Sequence, residues 1–174
     1  MTERQFYDWQ TAGGGGDVIR LVEVMEHHEI PWCMIGGLAV NHWADEPMAT
    51  ADVDLVIATE CLDDAVHALE KVGFKSKSYP WSINLRGNSK VTVQISTGAE
   101  YEGFPSRAVP ADVHGILMRV ASLQDTLNGK IQEWRDPERR ASKRLKDLVD
   151  ILRLLEIHPD LKDHIPEDVR VKIQ

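Results

Sequence analysis

Ile35-Gly36-Gly37-Leu38-Ala39-Val40-Asn41-His42-Trp43, followed by Thr50-Ala51-Asp52-Val53-Asp54-Leu55, is the stretch on which the fold turns. Trp32 to Ile35 reads as a short buried strand. The two glycines punctuate it, and Leu38 to Trp43 fits a helix starting directly after them. Asp52 to Ala58 reads as the next strand. Residues i and i+2 of a strand share a face, so Asp52 and Asp54 project together, about 7 Å apart along the backbone. Two such carboxylates repel unless a cation lies between them, and an oxygen-only donor set shared with phosphate is what Mg²⁺ prefers. A Gly-Gly turn at a helix start offers backbone N–H groups and a favourable dipole to phosphate. Gly37 is the position where a side chain would push phosphate away, and where a positive φ is expected. Either half alone is weak, since Gly-Gly is a turn and Asp-x-Asp at a strand edge usually faces solvent. The order strand, Gly-Gly, helix, Thr-x-Asp-x-Asp carries the reading, and it is the equipment of nucleotidyl transfer.

Around this centre, 174 residues are ample for one core and short for two. A hydrophobic share of 43% excludes a disordered chain, and a net charge of −8 argues against generic DNA binding. The opening Met1-Thr-Glu-Arg-Gln-Phe-Tyr-Asp8 has no apolar segment after a basic patch, and no apolar run approaches the roughly 20 residues of a membrane span. A cytoplasmic protein with no membrane partner is expected. Cys33 and Cys61 sit in apolar segments as buried small hydrophobes, and no His or Cys pair has zinc-ligand spacing.

Gly13 to Gly16 reads as the end of a flexible arm over residues 1–16 rather than a phosphate cradle, because no strand precedes it and no Lys-Ser/Thr follows. Asp17 is expected to cap a helix with Val18, Leu21, Val22 and Met25 on one face, and Thr59 to cap another that ends at Gly73. Trp81, Ile83 and Leu85 alternate with polar residues, as do Val91, Val93 and Ile95, around the turn Arg86-Gly87-Asn88-Ser89. That spells an antiparallel hairpin, followed by a loop from Thr97 to about Pro110. Ser122 with Asp125 resembles a capping box, and Leu123, Leu127 and Ile131 share the helix face that follows. A longer helix, about Glu138 to Glu156, carries a stripe of Ala141, Leu145, Leu148, Leu152 and Leu155 expected in the core. Arg139, Arg140, Lys143, Arg144 and Lys146 read as a solvated face, and Asp147 as an i,i+4 partner of Lys143. The organisation is an α/β core over 17–121 with a helical pair over 122–174 packed on it, one domain overall.

Ile35 to Trp43 with Thr50 to Leu55 resembles the core of the polymerase-beta-like minimal nucleotidyltransferases, in particular the branch of the type IV toxin–antitoxin toxins. Val120-Ala121-Ser122-Leu123-Gln124-Asp125, Lys130, and Lys143-Arg144-Leu145-Lys146-Asp147-Leu148-Val149-Asp150-Ile151 are similar to that branch as well. The resemblance implies a nucleotidyltransferase fold, a small mixed sheet flanked by helices. It implies Gly36 and Gly37 along the triphosphate, and Asp52 and Asp54 as catalytic carboxylates holding Mg²⁺. It also implies Lys130 near a phosphate and Asp147 orienting the site. Two positions depart from the branch. Met48 stands where an Arg is usual. Gln94, on the polar side of Val91 to Ser96, stands where a third carboxylate usually serves as general base, and an amide takes no proton near neutral pH.

The expected function is Mg²⁺-dependent transfer of a nucleotidyl group from NTP to a hydroxyl acceptor, RNA or protein, with a cognate antitoxin as partner. The competing class is a catalytically degenerate nucleotidyltransferase fold that binds nucleotide or another protein. Gln94 and Met48 favour the second class; the Asp52/Asp54 pair favours the first.

Overall fold

Alternation along two central strands decides what packs on each side of the sheet. The computed structural model describes residues 8, 13–50, 52–113 and 116–173. Strand β1 (Trp32–Ile35) pairs antiparallel with β2 (Asp52–Ile57), with Ile35 opposite Asp54. Trp32, Met34, Val53, Leu55 and Ile57 belong to the larger core. Cys33, Ile35 and Val56 point to the other face and meet Tyr101, Phe104 and Ala121. Helices α1 (Gly15–His27) and α3 (Leu62–Lys71) contribute Val18, Leu21, Met25, Ala65 and Leu69 to the larger core. A third cluster ties Val40 of α2 (Gly36–Trp43) to α4 (Leu123–Arg135), α5 (Ala141–Ile157) and α6 (Glu167–Ile173).

The remaining strands are β3 (Lys75–Tyr79), β4 (Ser82–Arg86), β5 (Thr92–Ser96), β6 (Val109–Val113) and β7 (Ile116–Val120). They complete a seven-stranded sheet in the order β3-β4-β5-β2-β1-β7-β6. β2 runs parallel to β5 and β1 parallel to β7, while the other neighbours are antiparallel, so the sheet is mixed as the sequence implied. The β4–β5 hairpin forms where alternation placed it. β3 had no apolar signal because all five of its residues are exposed, and its backbone is paired to β4. β6 takes over the end of the expected loop, and β7 follows it. Pro110 is tolerated there because β6 is an edge strand, where a missing N–H breaks no ladder.

Several local expectations are corrected. The first helix begins at Gly15, so Asp17 lies in its first turn rather than at its cap. Its buried carboxylate instead accepts from Asn88 N (3.1 Å), Ser89 N (2.8 Å) and Ser89 Oγ, and pairs with Arg20. Thr59 opens a 3₁₀ turn, and Cys61, only half-buried, sits at the cap of α3 without a side-chain bond. Gly73 follows that helix at φ +100°, the left-handed exit a glycine supplies. Ser122 Oγ does accept from Asp125 N at 3.1 Å, but the Asp125 carboxylate turns away to take two bonds from Arg107. The long helix starts at Ala141, and Leu145 is 64% exposed while Asp147 and Asp150 are buried. The apolar stripe was read one face off, because ion-paired carboxylates fill positions that periodicity reserves for apolar side chains. The first residues, 1–7 and 9–12, lie outside those described, and with them most of the arm read over 1–16. Among the described residues no helix is long and apolar enough to cross a membrane.

Asp17 holds α1 to the β4–β5 turn. Asp17→Ala leaves two backbone donors of that turn without their acceptor and should cost about 1–3 kcal/mol, read as a shifted urea midpoint with unchanged slope. Hydrogen bonds from Ser89 and Asn88 hold the Asp17 carboxyl below its ordinary value against the opposing effect of burial. Its contribution is therefore present above the unfolded-state pKa and lost as pH falls through the folded one. The difference between wild type and Asp17→Ala should shrink in acid.

Candidate active site

The chain leaves β1 at Ile35 and enters α2 through Gly36, which sits at φ +66°. That conformation is open to glycine and strained for most other residues. A Cβ at position 36 would also overlap the Asp54 carboxylate. The positive φ expected at Gly37 therefore falls one residue earlier, and Gly36 is required twice over, by backbone conformation and by close approach. At Gly37 a Cβ would stand 3.3 Å from Thr50 Oγ1 and 3.7 Å from Lys146 Nζ. The loop between α2 and β2 is closed by Asn41, whose amide donates to Met48 O (2.6 Å) and accepts from Met48 N (2.9 Å). Thr50 Oγ1 donates to Asp52 O at 3.1 Å and thereby fixes the entry to β2.

Asp52 and Asp54 share the face of β2 that carries Val56. Asp52 keeps 44% of its side chain exposed and has Lys143 Nζ at 3.6 Å. Asp54 is pressed against the glycine turn. Burial, with Glu133 and Asp52 adding repulsion against Lys130 and Lys143, pushes its carboxyl from an ordinary 3.8 up to about 7. Gln94 of β5 is the register partner of Asp54, and Thr92 that of Asp52.

Lys130 is 5% exposed. Its ammonium lies 2.9 Å from Glu133, 3.2 Å from Asp147 and 3.3 Å from Asp150. Burial opposes its charge, but Glu133, Asp150 and Asp147 outweigh that and hold it protonated. Arg139 grips Asp147 (2.6 Å) and Glu133 (3.1 Å), and Arg153 grips Asp150 (2.9 Å) and Asn41 (2.9 Å). Burial of Asp147 is overcome by the Arg139 hydrogen bond and the charge of Lys130, so its carboxyl is held below the usual range. Three cations and three carboxylates balance here, which is how so many charges are accommodated between α4 and α5.

The structure thus brings together Gly36, Gly37, Asp52 and Asp54, and sets Lys130 and Asp147 behind them in the charge cluster. Asp147 pairs with Lys130 and Arg139, not with the expected Lys143. Of the residues read as a solvated face only Arg140 is exposed: Arg139 enters the cluster, Lys143 reaches Asp52, Arg144 donates to Trp134 O, and Lys146 approaches Gly37. The sequence did contain a signal for this, since Lys143, Lys146, Asp147 and Asp150 fall on one helical face by i+3 and i+4 spacing. Glu133 was readable only as an i,i+3 partner of Lys130. Among the described residues no three His, Cys, Asp or Glu side chains converge as a metal cage.

Because the Asp54 carboxyl is raised, it favours the folded protein most when protonated. That contribution is fully present below about pH 4 and is lost as pH rises through about 7. Melting temperatures of the metal-free protein should fall across that interval more for wild type than for Asp54→Asn. Parallel curves would remove the buried, charge-repelled environment ascribed to Asp54.

Three solved structures illustrate the likeness of the fold. The solution structure of the antibiotic-resistance factor ANT(2'')-Ia aligns at TM-score 0.60 and 12% identity, over 90% of this chain and 86% of that one. The lincomycin-bound lincosamide antibiotic adenylyltransferase LnuA aligns at 0.56 and 11%, over 80% and 96%. An antigenic nucleotidyltransferase-like protein from Paracoccidioides brasiliensis aligns at 0.54 and 20%, over 81% and 74%. At these identities the likeness speaks for the fold alone. No curated protein sequence matches the chain. The family model described as "Nucleotidyl transferase AbiEii toxin, Type IV TA system" matches residues 21–173, so the chain belongs to the AbiEii nucleotidyl transferase toxin family.

Proposed function

We propose that this protein transfers a nucleotidyl group from an NTP to a hydroxyl acceptor, at Asp52 and Asp54. The observation that carries the reading is the seating of the Asp54 carboxylate in the space a side chain at Gly36 would fill. A phosphate-suited turn and a carboxylate are thereby held in contact. The donor chemistry fits Mg²⁺: two carboxylates from one strand face, repelling each other, with oxygen atoms only. Asp52 and Asp54 would hold the ion, which would supply charge neutralisation at the α-phosphate and acidify the attacking hydroxyl. Gly36 and Gly37 line the triphosphate in this reading. Lys146, beside Gly37, and Lys143, beside Asp52, supply the positive charge that meets it. Lys130 and Asp147 act one layer back, Lys130 holding Glu133 and Asp147 in place so that α5 presents those two lysines.

The acceptor in this reading is RNA or protein, and a cognate antitoxin restrains the activity, in keeping with the family's description. One observation favours a second reading, a degenerate fold that binds NTP without transferring it. Gln94 lies beside Asp54 in register, at the place where the first resemblance called for a carboxylate.

Asp52→Asn with Asp54→Asn should abolish Mg²⁺-dependent stabilisation by NTP while leaving the metal-free protein equally or more stable, because a repulsion is removed. A double variant that fails to fold would make the pair structural. Transfer of label by the wild type separates the two readings, and Gln94→Asp tests the part played by position 94. A restored base should raise transfer of labelled NTP by about 10²–10⁴-fold over wild type. No gain in a folded variant that still binds NTP with Mg²⁺ would show that position 94 does not serve the acceptor's proton.

A further inference from the structure

The sheet face that bears the carboxylates continues past β2 in ordered rows. Register places Asp52 beside Thr92, Thr92 beside Arg86 and Arg86 beside Lys75. The next row runs Asp54, Gln94, Asn84, Lys77. Ser76, one residue off, bonds Glu70 of α3 on the opposite face, which leaves Lys75 and Lys77 on the side of the carboxylates. Charge therefore changes across this face from acidic at β2, through neutral amides and a hydroxyl, to basic on β4 and β3. At about 4.8 Å per strand the basic side chains originate about 10–14 Å from the carboxylates. In the neutral zone the Asn84 Oδ1 is buried and has no hydrogen-bond partner among the described residues. A buried oxygen left so costs stability, and a site that receives a ligand is a reason to keep it.

We infer that the β5–β4–β3 face is the acceptor subsite: Gln94 and Asn84 receive the acceptor near its reacting hydroxyl, and Arg86, Lys75 and Lys77 hold a phosphate group of the same molecule. This rests on the nucleotidyl-transfer reading and names the acceptor's chemistry as a phosphate-bearing hydroxyl compound. Two sources share that chemistry, a single-stranded nucleic acid end and a small sugar phosphate. An exposed aromatic in the basic row separates them: Tyr79 shares the face of Lys75 and Lys77, is 44% exposed, and has Lys77 Nζ 5.1 Å from its ring centre. It offers a base a stacking surface that a sugar phosphate would not use.

The test measures binding without NTP, so that it stands apart from catalysis. A fluorescein-labelled hexaribonucleotide is titrated by anisotropy and ribose 5-phosphate by calorimetry, against wild type, Asn84→Leu, Tyr79→Ala and the triple variant Lys75→Glu/Lys77→Glu/Arg86→Glu. The triple variant should lose about tenfold or more in affinity for the bound probe. With the oligonucleotide, the slope of log affinity against log salt should shrink by about 2. Asn84→Leu should weaken the probe while its urea midpoint stays equal or rises, because the lost oxygen had no partner. Tyr79→Ala should weaken the oligonucleotide alone if nucleic acid is the source, and leave binding untouched if the source is the sugar phosphate. Mg²⁺-dependent stabilisation by NTP should be unchanged in Asn84→Leu and in Tyr79→Ala. The inference is overturned if neither probe binds wild type, if the charge-reversed face binds equally well, or if Asn84→Leu costs stability. Loss of NTP stabilisation in wild type would instead sink the nucleotidyl-transfer reading, with the probe titrations still reporting on the face.

Discussion

Everything in the site hangs on one close approach, that of the Asp54 carboxylate to the Gly36 backbone. The left-handed turn at Gly36 ends β1 and starts α2 within a single residue. The antiparallel register then brings Asp54 opposite Ile35, next to that turn. Any side chain at 36 would be strained by its φ and would displace the carboxylate as well. The turn, the strand register and the acid are therefore one unit, and none can shift alone. Asn41 and Thr50 extend the constraint outward by clamping the loop that joins α2 to β2.

Behind this unit stands a charged interior where an apolar one would be the ordinary solution. Lys130, Arg139 and Arg153 face Glu133, Asp147 and Asp150 between α4 and α5. A buried ion cluster is no reliable source of stability, since desolvation offsets much of the attraction. What this one does is fix rotation. α5 can satisfy Asp147 and Asp150 only with one face inward, and that rotation sends Lys143 to Asp52 and Lys146 to Gly37.

How far the sequence revealed this depends on the kind of signal. The strand, glycine turn and acidic strand were legible because each leaves a local mark, and the β4–β5 hairpin because alternation and turn residues agree. β3 was not, since an exposed edge strand made of Lys, Ser and Tyr has no periodic apolar residues and is defined by its neighbour's backbone. Asp17 looked like a cap by type and position, but the turn it serves lies 71 residues further on, which no local pattern encodes. The face of α5 was misjudged for a related reason. Apolar periodicity assumes that the interior is apolar, and Asp147, Asp150 and Lys130 violate that assumption together. A compensated cluster is visible only when both helices are seen at once.

The clasp at Asp17 gives the sheet a mechanical asymmetry. It grips the connection between β4 and β5 from the covered side, at the end where Thr92 and Arg86 stand. Among the described residues the opposite end of that ribbon, where Trp81 and Ser96 sit, carries no side-chain bond to α1, and backbone bonds such as Thr97 N to Trp81 O tie it to its neighbours. The ribbon is thus fastened to the helical layer at the end that abuts the two acids, where small displacements would matter most. A residue on the far side of the sheet, touching nothing that reacts, helps set where those strands stand.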